Sequence, residues 1–114
     1  MTTLCAPTLG PLRGDCYATL EGWTDRYPYE ILARTAKTIT VRPMRYEKDP
    51  TWKPEFVPGG FSAVCVNQGE QRWLLSSDED AVVLKAYLRK GGMYHCALGP
   101  LSINRATRFY DYNF

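Results

Sequence analysis

Histidine is nearly absent from this chain, and no apolar stretch approaches the roughly eighteen residues that a transmembrane helix requires. Cysteine is sparse: Cys5, Cys16, Cys65 and Cys96 are scattered without a CxxC pair. That spacing argues against a zinc knuckle or a redox dithiol, and the thiols read as reduced, small core residues. The lone histidine, His95, stands beside Cys96 in a stretch with strand character. Neighbouring strand side chains point to opposite faces, so the two do not form a nucleophile–base pair. No phosphate-cradling glycine loop is present, and Gly59-Gly60 and Gly91-Gly92 read as turns. The acids are scattered. No catalytic residue, metal site or cofactor is therefore expected, and the chain reads as a non-enzyme.

Charge of one sign is also lacking. Lysine and arginine total 14 against 12 acids, a net charge of +2, and the two signs are interspersed. A domain that works by neutralising many phosphates normally carries a basic excess, so nucleic acid is a disfavoured partner. A small anion held by two or three arginines remains compatible. The start, Met1-Thr2-Thr3-Leu4-Cys5-Ala6-Pro7, lacks the basic lead and apolar centre of a signal peptide, which points to the cytoplasm.

What the chain does have is rings. Eight tyrosines and three tryptophans in 114 residues exceed what one small core can hold, so several must serve a surface that binds something. Hydrophobic content of 45% supports one compact domain.

Along the chain, 1–12 lacks periodicity and reads as an irregular arm before a single domain over 13–114. Arg13-Gly14-Asp15 reads as a turn. Period-two alternation then predicts strands over 16–23, 29–35 and 38–44, the last rich in β-branched residues. Residues 45–60 carry several prolines together with Trp52, Phe56 and Val57, and read as a long ordered lid. A strand over 61–67 is expected to pair with one over 71–76. Residues 81–92 fit a helix or the first arm of a hairpin equally well. A short strand over 101–104 and an aromatic tail, Phe109-Tyr110-Asp111-Tyr112-Asn113-Phe114, complete the chain. The tail is expected to dock as a final strand. The fold class is all-β: a small SH3-like or partly open barrel of five to seven strands with a proline-rich lid.

Several stretches resemble a family of small proteins of bacteriophage and prophage genomes. They are Gly14-Asp15, Trp23-Thr24-Asp25-Arg26-Tyr27-Pro28, Lys37-Thr38-Ile39-Thr40-Val41, Trp52 through Phe61, Asn67-Gln68, Gln71-Arg72-Trp73 and the tail from Phe109. The resemblance implies strand, basic-glycine turn and strand over 85–95, which favours the hairpin. It also implies a setting in the cytoplasm of a phage's host. The sequence departs from the family pattern at Ser77-Asp78-Glu79-Asp80 and between Asn104 and Phe109.

The candidate ligand-binding residues cluster in three places. In the 23–28 loop, Trp23 and Tyr27 offer rings, Arg26 suits a phosphate or carboxylate, and Thr24 and Asp25 suit a hydroxyl. Asp25 can equally cap the turn and Arg26 pair with it. The lid contributes Trp52, Lys53 and Phe56, either as contacts or as a cover for the barrel. Arg105, Tyr110 and Tyr112 come from the last segment, which can also be an assembly surface. The expected function is a phage accessory, counter-defence protein that sequesters a small anionic, nucleotide-derived signal, as a homo-oligomer. The alternatives are an inhibitor docking on a host defence protein and a nucleic-acid-binding small barrel.

Overall fold

A computed structural model describes residues 8–59 and 62–112. The fold is all-β, with eleven strands among the described residues in chain order. These are β1 (Thr8–Leu9), β2 (Leu12–Glu21), β3 (Arg26–Arg34), β4 (Thr38–Pro43), β5 (Arg45–Lys48), β6 (Phe56–Gly59), β7 (Ser62–Cys65), β8 (Trp73–Ser76), β9 (Leu84–Leu88), β10 (Tyr94–Cys96) and β11 (Gly99–Ala106). Six of them close an antiparallel barrel in the order β10-β11-β2-β3-β4-β9. Outside it, β8 lies between β1 and β5 in a second sheet, and β6 and β7 form a two-stranded sheet.

Alternation builds the barrel core. Ile39 and Val41 of β4 point inward, as do Ala18 and Leu20 of β2, Tyr29 and Ile31 of β3, Ala86 of β9 and Leu101 of β11. A smaller core of Met44, Leu75 and Ala106 joins the barrel to the outer sheet. Closure leaves no free edge on the ring, which a strand of this apolar content would otherwise expose.

The hairpin over 84–96 forms as the resemblance implied, with Gly91 and Gly92 at φ 92° and 82° in its turn. Other boundaries differ from the sequence reading for physical reasons. The turn expected at Arg13-Gly14-Asp15 is continuous strand; Gly14 at φ 140° lets β2 bend there without a steric clash. Thr8–Leu9, expected to be irregular arm, pairs with Leu74 and Leu75. Residues 1–7 of that arm lie outside the described residues.

Arg26, Tyr27 and Pro28 are strand rather than loop. Pro28 lacks an N–H, but its carbonyl accepts from Met44 N–H at 3.0 Å, so its place in the sheet is used. The lid is subdivided. Arg45–Lys48 pairs with β8, and Phe56–Gly59 pairs with β7. Pro50 and Pro54 fall in the connector between them, and Pro58 sits in a two-stranded sheet where a missing donor costs little. The 71–76 strand consequently pairs with β1 and β5 instead of with β7. Over 109–112 the tail is not a strand, and Phe109 makes an isolated bridge to Arg26; residues 113–114 lie outside the described residues.

The two ends of the burial scale supply a stability test. Replacing Ile39, 1% exposed, by Ala leaves a cavity and is expected to lower unfolding free energy by about 2–5 kcal/mol in urea titration. Trp23→Ala, at a fully exposed hairpin tip, is expected to change it by less than about 0.5 kcal/mol.

Candidate functional site

The β2–β3 hairpin turns through Gly22-Trp23-Thr24-Asp25, closed by Gly22 N–H donating to the Asp25 carbonyl at 2.9 Å. A Cβ at Gly22 would meet that oxygen at 2.9 Å, so the tight closure needs glycine. This turn aims the Asp25 carboxylate at the tail, where Oδ1 accepts from Asp111 N–H at 2.8 Å.

Other side chains grip the same strap. Gln71 takes Tyr110 on both sides, accepting its N–H at Oε1 (2.9 Å) and donating Nε2–H to its carbonyl (2.9 Å). Gln68 accepts from Tyr112 N–H at 2.8 Å. Phe109 exchanges backbone hydrogen bonds with Arg26 at 2.9 and 3.0 Å. Each amide from Phe109 to Tyr112 is thus satisfied, three of them by side chains in place of a neighbouring strand. Such side-chain clamping is specific to position and independent of sheet register.

Arg108 anchors the strap. Its guanidinium carbon lies 4.4 Å from the Tyr46 ring centre, 4.8 Å from Tyr27, 5.1 Å from Trp73 and 5.6 Å from Tyr110. Tyr46 and Trp73 meet edge-on at 5.8 Å, and Trp73 donates its indole N–H to Gln71 Oε1 at 2.6 Å. Barrel, outer sheet and tail meet at this one cation. Further along, Tyr112 packs on Trp52 at 5.8 Å and on Phe56 at 6.1 Å. Trp52 is set by the Asp49 turn, where Thr51 donates both N–H and O–H to the carboxylate and holds its pKa below the usual range.

Beside the strap is a groove of about 470 Å³ lined by Thr19, Glu21, Arg26, Ser102, Arg105, Thr107 and Phe109. Arg26 pairs with Glu21 at 3.1 Å and lies over the Phe109 ring at 5.9 Å. Arg105 donates Nε–H to Thr107 Oγ1 at 2.8 Å, and among the described residues it has no ion pair with a carboxylate. Thr19 Oγ1 donates to the Arg105 carbonyl at 2.6 Å and accepts from Thr107 N–H at 3.1 Å, which fixes the bulge at Asn104.

The expected site residues thus separate. Arg26 and Arg105 come together in the groove. Asp25 and Tyr110 belong to the strap's clamp, as does Tyr27 through the Arg108 cage; Tyr27 also donates its hydroxyl to Asp25 Oδ2 at 3.4 Å. Trp52 is buried and Tyr112 packs on it, so neither ring is presented to the groove. Lys53 gives its carbonyl to Asn67 Nδ2 at 2.9 Å, Phe56 stays half exposed, and Trp23 and Thr24 stand at the hairpin tip. Sequence reasoning missed Arg108, Tyr46, Trp73, Gln68 and Gln71 as site residues. Gln68, Gln71 and Trp73 lay in the segments that carried the resemblance, and that grouping was the available signal. Among the described residues no three His, Cys, Asp or Glu side chains converge, and no helix is long and apolar enough to cross a membrane.

Comparison with protein-family models, with curated proteins and with solved structures finds no match for this chain.

Removing one clamp should loosen the strap and leave the barrel core intact. Asp25→Ala or Gln71→Ala is expected to speed amide exchange at Tyr110–Tyr112 about tenfold, the equivalent of about 1.4 kcal/mol, with Ile39 and Val41 unchanged. Alkali should act at Tyr112. Burial raises its phenol pKa above the ordinary 10.0, with Cys65 and Tyr110 adding to the shift and Arg108 opposing it. This contribution to stability is intact below the unfolded value and is lost as pH rises through the folded one. Urea titrations from neutral pH upward should show that loss, and Tyr112→Phe should remove its share of it.

Proposed function

We propose that the protein is a non-catalytic binding protein for one small, anionic, ring-bearing molecule of the nucleotide class, held in the groove between Arg26 and Arg105. The observation that carries this reading is Arg105: a guanidinium with no carboxylate partner among the described residues, lining a groove of about 470 Å³ that also offers the Phe109 ring. Small-molecule sites commonly measure about 300–1,000 Å³. Arg105 and Arg26 supply donors for phosphate, Phe109 a face for a base, and Ser102 and Thr107 hydroxyls. Glu21, beside Arg26, is placed to accept from a sugar hydroxyl, the part first assigned to Asp25.

The resemblance to phage proteins gives this binding a purpose: sequestering a host signalling nucleotide in the host cytoplasm, as a homo-oligomer. A second reading, docking on a host defence protein, is favoured by the half-exposed Phe56, Val57, Val64 and Val66 at the β6–β7 hairpin.

Isothermal titration with cyclic nucleotides and ADP-ribose derivatives tests the first reading. Saturable binding is expected, weakened about tenfold to a hundredfold by Arg105→Ala, as for loss of a charge-assisted hydrogen bond. Flat traces across the panel would remove it.

A further inference from the structure

We infer that the rings around Arg108 form a cation-binding site in its own right, one that takes a guanidinium or methylated ammonium group and that the chain fills with its own arginine. This site is separate from the groove and does not rest on what the groove binds.

Three of the four walls belong to the sheets rather than to the occupant. Tyr27 stands on β3, Tyr46 on β5 and Trp73 on β8. They also brace one another, with Tyr27 and Tyr46 at 6.4 Å, Tyr46 and Trp73 at 5.8 Å, and the indole N–H held by Gln71. The pocket is therefore shaped largely without the arginine. Only the fourth wall, Tyr110, arrives with the strap.

The way Arg108 is held points to the ligand class. Among the described residues no carboxylate pairs with it. Its Nε is buried without a hydrogen-bond partner, and the contacts from Nη1 to the carbonyls of Arg26 and Phe109 are long, at 3.3 and 3.4 Å. Ion pairing and directional hydrogen bonds thus contribute little. All four ring centres lie within the roughly 6 Å over which a ring quadrupole attracts a cation. A site that recognises charge through ring faces does not require N–H donors. It therefore suits a methylated ammonium as well as a guanidinium.

Arg108 competes from within. It sits on an irregular segment tied down by exchangeable hydrogen bonds, at the high effective concentration of a short tether. With the strap lifted, the three strand-borne rings face solvent and offer the same attraction to a cation on another molecule.

The test uses the full chain with Arg108→Ala, titrated with ethylguanidinium and with tetramethylammonium, and with urea as the neutral counterpart of guanidinium. The readout is the Trp73 indole N–H resonance. Both cations are expected to shift it saturably, with half-saturation on the order of millimolar, and urea at least about tenfold more weakly. Unsubstituted protein should show less than about a tenth of that shift, because Arg108 already fills the cage. Adding Tyr46→Leu should abolish it. Tighter binding of tetramethylammonium would assign the site to methylated ammonium groups, and tighter binding of ethylguanidinium to arginine side chains. No shift with either cation, an equal shift with urea, or a shift that survives Tyr46→Leu overturns the inference. Should Arg108→Ala fail to fold, rescue replaces the titration. Either cation, at on the order of 10 mM, should raise the folded fraction severalfold, and no rescue overturns the inference equally.

Discussion

The guanidinium of Arg108 among Tyr27, Tyr46, Trp73 and Tyr110 is the contact on which the arrangement of the molecule depends. Tyr27 belongs to the barrel, Tyr46 and Trp73 to the outer sheet, and Tyr110 to the tail. A cation among ring faces contributes about 0.5–2 kcal/mol per favourable pair, more where water is excluded. An ion pair at the same place would fix one partner through one direction. Ring faces tolerate small shifts of several elements at once, which suits a junction between two sheets and an irregular strap.

The strap converts that junction into a site by its extended shape. Arg105, Thr107 and Phe109 line the groove, and Arg108 and Tyr110 meet in the cage. The two are not sealed from each other: a cavity of about 220 Å³ is lined by Arg105, Thr107 and Phe109 together with Arg108, Gln71 and Trp73. The Thr19 hydroxyl, bonded to both Arg105 and Thr107, sets where the strap leaves β11. Asp25, Gln68 and Gln71 hold where it ends. Groove and cage are thus built on the same few residues, positioned by side chains rather than by a ladder.

The barrel was legible because its signal is local. Ile39 and Val41 alternate with Thr38 and Thr40 within four consecutive residues, and burial follows that pattern. In β2 the pattern holds only in part: Ala18 and Leu20 are buried, but so is Thr19, and Cys16, expected on the apolar face, is exposed. The lid was misread because prolines were counted over a long window, whereas each one matters only at its own position. Pro50 and Pro54 lie between strands, and Tyr46, on the strand before them, became a cage wall. The tail was misread for the converse reason. Alternating rings from Tyr110 suggest a strand, yet in the closed ring each strand already has neighbours on both sides along most of its length. Phe109 reaches Arg26 by one bridge, and the amides that follow turn to Gln71, Asp25 and Gln68. Those partners lie 39 to 86 positions away in sequence. No periodicity connects such residues, so only the grouping of motif segments could have linked them.

Because one backbone stretch serves both groove and cage, the two sites are expected to be coupled. A ligand drawn to Arg105 and Phe109 stiffens residues whose neighbours fill the cage, and a cation that displaced Arg108 would move Phe109 with it. Thermodynamic linkage makes such coupling reciprocal: whatever the groove's occupant does to the cage, the cage's occupant does to the groove in equal measure. The direction follows from geometry. Phe109 is part of the groove only while its reciprocal hydrogen bonds to Arg26 hold, and those bonds lie one residue from Arg108. A filled groove therefore favours the docked strap and a closed cage, whereas an external cation in the cage weakens the groove. The proposed groove and cage would thus oppose each other without a second domain or a moving helix, because one short strap supplies residues to both.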